Sequence, residues 1–365
     1  MVRQFLKTAD IEVGGKHSWD IQVKNENFYR RFLHQEPTLA FGQSYMAGEW
    51  ESEKIDEAAA KIIKANLHNN FKSNKPWLQS IKEKVLSLGR KKDPYIIAKR
   101  HYDLGNDLFK AMLDKRMVYT CGYWKEAQNL DEAQEAKLDL VCRKIGLQKG
   151  MKVLDIGGGW GSFAIFAAQK YGAYVVNVTI SKEQVKLADE RAKGLPVENR
   201  LQDYRDVNGQ FDRIVSLGMF EHVRAENYLT FMKVVDKNLK PGGLFLLHTI
   251  GLDGKSGTSA SFLGKYIFPN SALPSLEQIN RAFQDTFVLE DLHNFGTDYD
   301  KTLMAWFSNF DKNWPGLRDK YGEQFYRMWK FYLLSCAGAF RARYLQLWQI
   351  VFSKKGLPGG YQSIR

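Results

Sequence analysis

The chain has only three cysteines among 365 residues, Cys121, Cys142 and Cys336. An odd, widely spaced set gives neither a disulfide framework nor a metal-ligand pattern, so the sequence predicts no metal site and a reducing cytoplasmic setting. Long apolar runs are also missing. No stretch approaches the roughly 18 apolar residues of a spanning helix, and the opening MVRQFLKTADIEVGG has no apolar core of a secretory signal. Internal repeats and low-complexity tracts are absent. Acidic residues are in deficit, with 41 Asp and Glu against 53 Lys and Arg, a formal charge of +12. That balance favours an anionic partner, either nucleic acid or an acidic lipid surface. No nucleic-acid recognition motif appears, so nucleic acid is not the expected partner.

What the chain does have is apolar and aromatic mass. Hydrophobic residues make up 44%, with 23 Phe, 17 Tyr and 9 Trp. The length predicts a catalytic domain, residues 93–365, and a smaller, mainly helical N-terminal domain, residues 1–92. Ile55, Ala58, Ala59, Ile62, Ile63 and Leu67 recur at helical spacing, as do Trp77, Leu78, Ile81, Val85 and Leu88. Residues 72–100 carry nine Lys or Arg against two acids and so supply +7 of the net charge. Such a stretch suits contact with a membrane surface, and equally a helix packed on a core with a solvated basic face.

From residue 130 strands and helices alternate. Asp131 is a plausible cap for a helix to about Ile145. Strands are predicted at Lys152–Ile156, Tyr174–Ile180, Phe211–Leu217 and Leu244–Ile250. Helices are predicted at Ser162–Tyr171, Lys182–Ala192 and around Glu226–Leu239. Alternation of this kind implies an α/β fold with a parallel, doubly wound sheet. Residues 251–275 look like a lid or long insertion. Leu303–Phe310 and Tyr321–Phe340 read as helices, and Ala342–Ser353 as a strand near the sheet edge. In Val153-Leu154-Asp155-Ile156-Gly157-Gly158-Gly159-Trp160-Gly161 a strand runs into a glycine turn and then a helix. Its amide-rich turn could hold a nucleotide. A dinucleotide site would use the same geometry, so the loop alone leaves both open. The GxGxG spacing, and the lack of an acid after Val178-Thr179-Ile180-Ser181, favour S-adenosylmethionine. Asp155 would then meet its methionyl end and Asp203, after Gln202, its adenine amino group.

Six further segments stand in order. They are His101-Tyr102-Asp103-Leu104-Gly105-Asn106-Asp107, Tyr119-Thr120-Cys121-Gly122-Tyr123-Trp124, Gly218-Met219-Phe220-Glu221-His222-Val223, Leu246-Leu247-His248-Thr249-Ile250-Gly251, Lys265-Tyr266-Ile267-Phe268-Pro269-Asn270 and Cys336-Ala337-Gly338-Ala339-Phe340-Arg341-Ala342-Arg343. Together they resemble the bacterial cyclopropane fatty acid synthase family, from about residue 95 to 353 and more loosely before it. The family commonly has Cys where this chain has Gly158, which removes a thiol but leaves the backbone contacts.

The resemblance implies a Rossmann-like class I methyltransferase sheet. It also implies transfer of a methyl group from S-adenosylmethionine to a cis alkene of a phospholipid acyl chain, with ring closure through a carbocation. A relative that leaves a methyl branch or methylates an amine is the alternative. The implied base is a bound bicarbonate, held by Cys121, Glu221, His248, the Ile250 backbone and Tyr299. Glu221 and His248 each follow a core strand. Cofactor contacts carried over are Tyr119, Thr120, Gly157, Gly159, Thr179, Ser181, Gln184, Gln202 and Asp203. Cys336 ranks as packing first and active-site wall second, and Cys142 reads as core. Tyr119, Tyr123, Trp124, Phe220, Tyr266, Tyr299 and Trp306 are candidates to stabilise positive charge, with two or three expected to line the channel. The family further implies a homodimer peripherally bound to the inner face of the cell membrane, with its N-terminal domain on the bilayer.

Overall fold

The computed structural model describes residues 2–67, 105–252, 257–258, 261–269 and 271–365. Aliphatic runs without a polar face must be covered on both sides, and such runs build the central strands of a seven-stranded sheet. Its strands are β1 (Lys152–Ile156), β2 (Tyr174–Thr179), β3 (Val197–Leu201), β4 (Phe211–Leu217), β5 (Leu239–Leu252), β6 (Val288–Asn294) and β7 (Leu345–Ser353). Their spatial order is β6-β7-β5-β4-β1-β2-β3. The five strands from β3 to β5 are parallel, and β7 and β6 are added antiparallel. This is the doubly wound sheet expected from the alternation.

Helices α1 (Val2–Lys7), α2 (Asn27–His34), α3 (Pro37–Met46) and α4 (Ile55–Lys64) form the N-terminal region. Next come α5 (Asn106–Met112) and α6 (Leu130–Lys144), then the crossover helices α7 (Ser162–Tyr171), α8 (Lys182–Arg191) and α9 (Tyr228–Asn238). Between β5 and β7 in the chain lie α10 (Ser261–Tyr266), α11 (Leu276–Phe283), α12 (Thr297–Asn313), α13 (Arg318–Tyr321) and α14 (Glu323–Arg341).

The sequence expectations for β1, α7 and β4 match residue for residue. Three others shift for local reasons. Asn129, not Asp131, caps α6, since its side chain accepts the Glu132 N–H; Asp131 instead accepts the Lys115 N–H at 3.0 Å. Strand β5 runs past Ile250 because β7 pairs with it as far as Leu252 opposite Leu345, so His248 lies inside a strand and does not follow one. Strand β7 is second from the edge. The edge itself is β6, whose Glu290, Asp291 and His293 hide it from a hydrophobicity pattern; Asp291 is nevertheless buried, paired with Lys144 and Arg365.

The N-terminal region shares a hydrophobic cluster with α12 and α14. Helix α4 lies along α14 at Gly338, where a Cβ would come within 2.4 Å of the Asp56 carbonyl oxygen. Beside that contact Arg341 donates to Asp56 at 2.6 Å and to both oxygens of Asp300 at 2.9 Å. Helix α10, within the expected lid, packs on α3 with the Phe262 ring against Gly42. The basic stretch 72–100, its expected helix and the expected boundary at residue 92 lie outside the described residues. Among the described residues no helix is long and apolar enough to cross a membrane.

Candidate active site

Asp155 is the penultimate residue of β1, and the glycine turn closes over it. Gly157, Gly159 and Gly161 all have left-handed backbones, with φ of 78°, 58° and 75°. A Cβ on Gly158 would lie 2.1 Å from Asp155 Oδ2 and 2.4 Å from Asn177 Oδ1. The chain's departure from the family pattern is thus matched to how tightly the loop sits on this carboxylate. Gly158→Ala should cost about 2 kcal/mol of stability through overpacking, read as a lower urea midpoint with an unchanged slope.

Both Asp155 carboxylate oxygens are buried without a hydrogen-bond partner among the described residues. Burial pushes this carboxyl up to about 7, opposed by the charge of Lys137. On the neighbouring strand Thr179 donates to Gln184 Oε1 at 2.7 Å, and Ser181 caps α8 by accepting the Gln184 N–H. The Gln184 amide thereby reaches the turn, 3.6 Å from where a Cβ of Gly159 would be. Gln202 and Asp203 follow β3, and Asp203 is held by a two-pronged pair with Arg205. An orphaned buried carboxylate beside left-handed glycines fits the ammonium at the amino-acid end of S-adenosylmethionine.

A cavity of about 370 Å³ opens beyond this edge of the sheet. Tyr119, Thr120, Glu221, Ile250, Tyr299 and Cys336 line one part of it. Ile55, Ala58, Ala59, Ile62 and Ile63 of α4 line another. The rest of the wall mixes aromatic residues, Phe268, Phe331, Tyr332 and Phe340 among them, with aliphatic and a few polar ones.

Glu221 sits in a short 3-10 turn just after β4. Its Oε1 accepts the Ile250 N–H at 2.7 Å, and its Oε2 is buried without a hydrogen-bond partner among the described residues. Burial raises this carboxyl to about 7, against the Ile250 N–H, which favours the charged form. His248 is also buried. Its Nδ1 faces the Gln349 amide at 3.3 Å and its Nε2 has no partner among the described residues. Burial, helped by the charges of Lys137 and Lys144, keeps its pKa well below the usual range, so the ring is neutral.

The expected bicarbonate set is only partly assembled on the cavity. Glu221, Ile250 and Tyr299 are on its wall. His248 and Cys121 are not, and the Cys121 thiol points to the Gly122 carbonyl oxygen at 3.1 Å. Cys336 does reach the wall, and burial pushes its thiol up to about 12. Cys142 is core, as expected. Of the seven candidate aromatics, Tyr119 and Tyr299 line the cavity. Trp306 backs both, with ring centroids at 5.1 and 6.0 Å. The Tyr119 and Tyr332 hydroxyls meet at 2.9 Å, and Tyr299 stacks on Phe340. Sequence reasoning passed over His222, which lines the cavity and is driven by burial to a pKa of about 4. Its place beside Glu221 in the quoted motif was the available signal.

Known proteins bear on this geometry. Residues 90–350 match the family model for mycolic acid cyclopropane synthetase. The cyclopropane-fatty-acyl-phospholipid synthase of Escherichia coli strain K12 is 50% identical over 366 residues, covering 100% of this chain and 95% of that protein. The solved cyclopropane synthase MmaA2 from Mycobacterium tuberculosis superposes with a TM-score of 0.68 at 30% identity, covering 73% of this chain and 100% of that one. Mycolic acid cyclopropane synthase CmaA1, solved with SAH and CTAB, gives 0.68 at 30% identity and covers 72% and 99%. The orphaned carboxylate, the glycine turn and the apolar cavity thus stand in a chain half identical to a cyclopropane synthase from end to end, and the chain belongs to the mycolic acid cyclopropane synthetase family of S-adenosylmethionine-dependent methyltransferases.

Proposed function

We propose that the protein converts the cis double bond of unsaturated phospholipid acyl chains into a cyclopropane ring. The observation that carries this reading is the apolar cavity itself, with the unpaired Glu221 Oε2 at its wall. S-adenosylmethionine, when bound, supplies an electrophilic methyl group. The chain's own residues hold the acyl tail, keep water out and manage the positive charge that follows methyl transfer. Tyr119 and Tyr299 present ring faces that stabilise a cation. The Cys336 thiol stays protonated, so no anionic sulfur competes for that cation. Ring closure then requires loss of a proton from the new methyl group.

Bicarbonate fits as the immediate acceptor of that proton. Glu221 Oε2 could accept its hydroxyl proton, and Tyr299 could donate to it from the wall. His248, whose Nε2 has no partner among the described residues, and Cys121 stand off the cavity wall. Tyr119, Thr120, Asp155, Gly157, Gly159, Thr179, Ser181, Gln184, Gln202 and Asp203 form the cofactor side. The N-terminal region contributes to the acyl channel through α4 and, with the basic stretch that follows it, meets the cytoplasmic face of the bilayer. A homodimer would present two such surfaces to one membrane.

Incubation with S-adenosylmethionine and liposomes of unsaturated phospholipid tests the reading. A mass gain of one methylene with loss of the alkene is expected. A methyl gain with the alkene retained would assign a branching methyltransferase, and liposome binding without turnover would remove the activity.

A further inference from the structure

Lys137 has no task in the reaction just described. It projects from α6 with its side chain fully buried, beneath the segment that carries Tyr119 and Thr120. Its Nζ donates to Thr120 Oγ1 at 2.7 Å. One turn earlier, Gln134 Nε2 donates to the Thr120 carbonyl oxygen, also at 2.7 Å. The Thr120 methyl packs on Gly218, whose Cβ would come within 2.5 Å of Cγ2. Thr120 is therefore fixed at its carbonyl, its hydroxyl and its methyl, while keeping a face on the cavity.

An ammonium has only protons to give. Thr120 Oγ1 must accept from Lys137, which turns the hydroxyl's own proton away from α6. Among the described residues no acceptor takes that proton. The ammonium is also short of partners. Asp114 and Asp155 are the carboxylates that act on it, yet it makes no direct ion pair among the described residues. A buried charge held by a single hydrogen bond is costly to keep, and burial lowers its pKa to about 8. Asp155, with both oxygens unpaired, is the matching unsatisfied group of opposite sign.

We propose that Lys137 is a positioning residue for the carboxylate of the cofactor's amino-acid end. It delivers the Thr120 proton to that carboxylate and supplies the countercharge behind it, while Asp155 answers the ammonium. The two unsatisfied charges read a zwitterion. This rests on the cofactor reading above and adds to it a residue outside the glycine turn.

Calorimetric titration with two probes tests it. S-adenosylhomocysteine carries the amino-acid end; 5′-methylthioadenosine is the same nucleoside thioether without it. Lys137→Met should weaken S-adenosylhomocysteine binding about 30-fold, as expected for loss of a charge-assisted contact, and leave 5′-methylthioadenosine unchanged. Thr120→Val should show the same selective loss with Lys137 in place, and Thr120→Ser should restore binding. Equal weakening of both probes, or of neither, in Lys137→Met would overturn the assignment. Should that variant not fold, Thr120→Val decides by the same criterion. If the wild-type protein binds neither probe, the cofactor reading itself fails.

Discussion

Glu221→Gln is expected to lower turnover roughly 10³-fold, the scale of a lost general acid–base group, while S-adenosylhomocysteine binds within about twofold of wild type. Gln keeps the shape, and its amide oxygen can still accept the Ile250 N–H, but it cannot take up a proton at the free position. Stability should move the other way. The folded-state pKa of Glu221 is about 7, well above the ordinary glutamate value, because burial penalises the charge. The stability linked to protonated Glu221 is complete below the unfolded value and is lost as pH rises through 7. Gln carries no charge to bury, so the variant should be the more stable protein at pH 8, by on the order of 3 kcal/mol. At pH 5 most of that advantage should be gone. Thermal unfolding at the two pH values measures it. Near-normal turnover would take Glu221 out of the reaction.

Gly338→Leu should reduce turnover on phospholipid liposomes about 100-fold with the cofactor site intact. The site of substitution is far from the glycine turn and lies where α4 meets α14. A Cβ there would press on the Asp56 carbonyl oxygen, on Ala59 Cβ at 2.8 Å and on the Ala60 nitrogen at 2.9 Å. Backbone cannot step aside as a flexible side chain can. Overpacking of this kind costs roughly 1–3 kcal/mol, which is about fivefold to 150-fold in the docking equilibrium. Ala58, Ala59, Ile62 and Ile63 would leave the cavity wall together, while Arg341 could keep hold of Asp300 alone. Unchanged liposome turnover, beside unchanged S-adenosylhomocysteine binding, would show that α4 is no part of the working channel.

These two positions differ in how they announce themselves in the sequence. Glu221 stands one short turn after an apolar strand, so periodicity alone brings it to the sheet edge. The glycine turn is legible for the same reason, since β1, the turn and α7 are contiguous. The meaning of Gly338 depends on α4, nearly three hundred residues earlier, and no local pattern carries that pairing. Lys137 is hidden in another way. In Leu130-Asp131-Glu132-Ala133-Gln134-Glu135-Ala136-Lys137 it reads as one more solvated charge, and only the folded position of Thr120 makes it a buried one. β6 was missed because Asp291 looks like a surface residue until Lys144 and Arg365 are brought to it. His248 and Cys121 stand off the cavity wall, which residue order does not reveal. His248 shares a strand face with Ile250 but stands two residues before it in β5, and the Cys121 thiol turns toward the Gly122 carbonyl oxygen.

The channel is walled by residues from before position 67 and from after position 118, so its dryness depends on a joint between distant parts of the chain. A cation formed beside a leaking joint would be captured by a water molecule before it lost a proton. The lipid would then leave as a methyl-branched alcohol, heavier than the ring product by one H2O. The ratio of hydroxylated to cyclised chains would therefore serve as a chemical gauge of how tightly that joint is sealed.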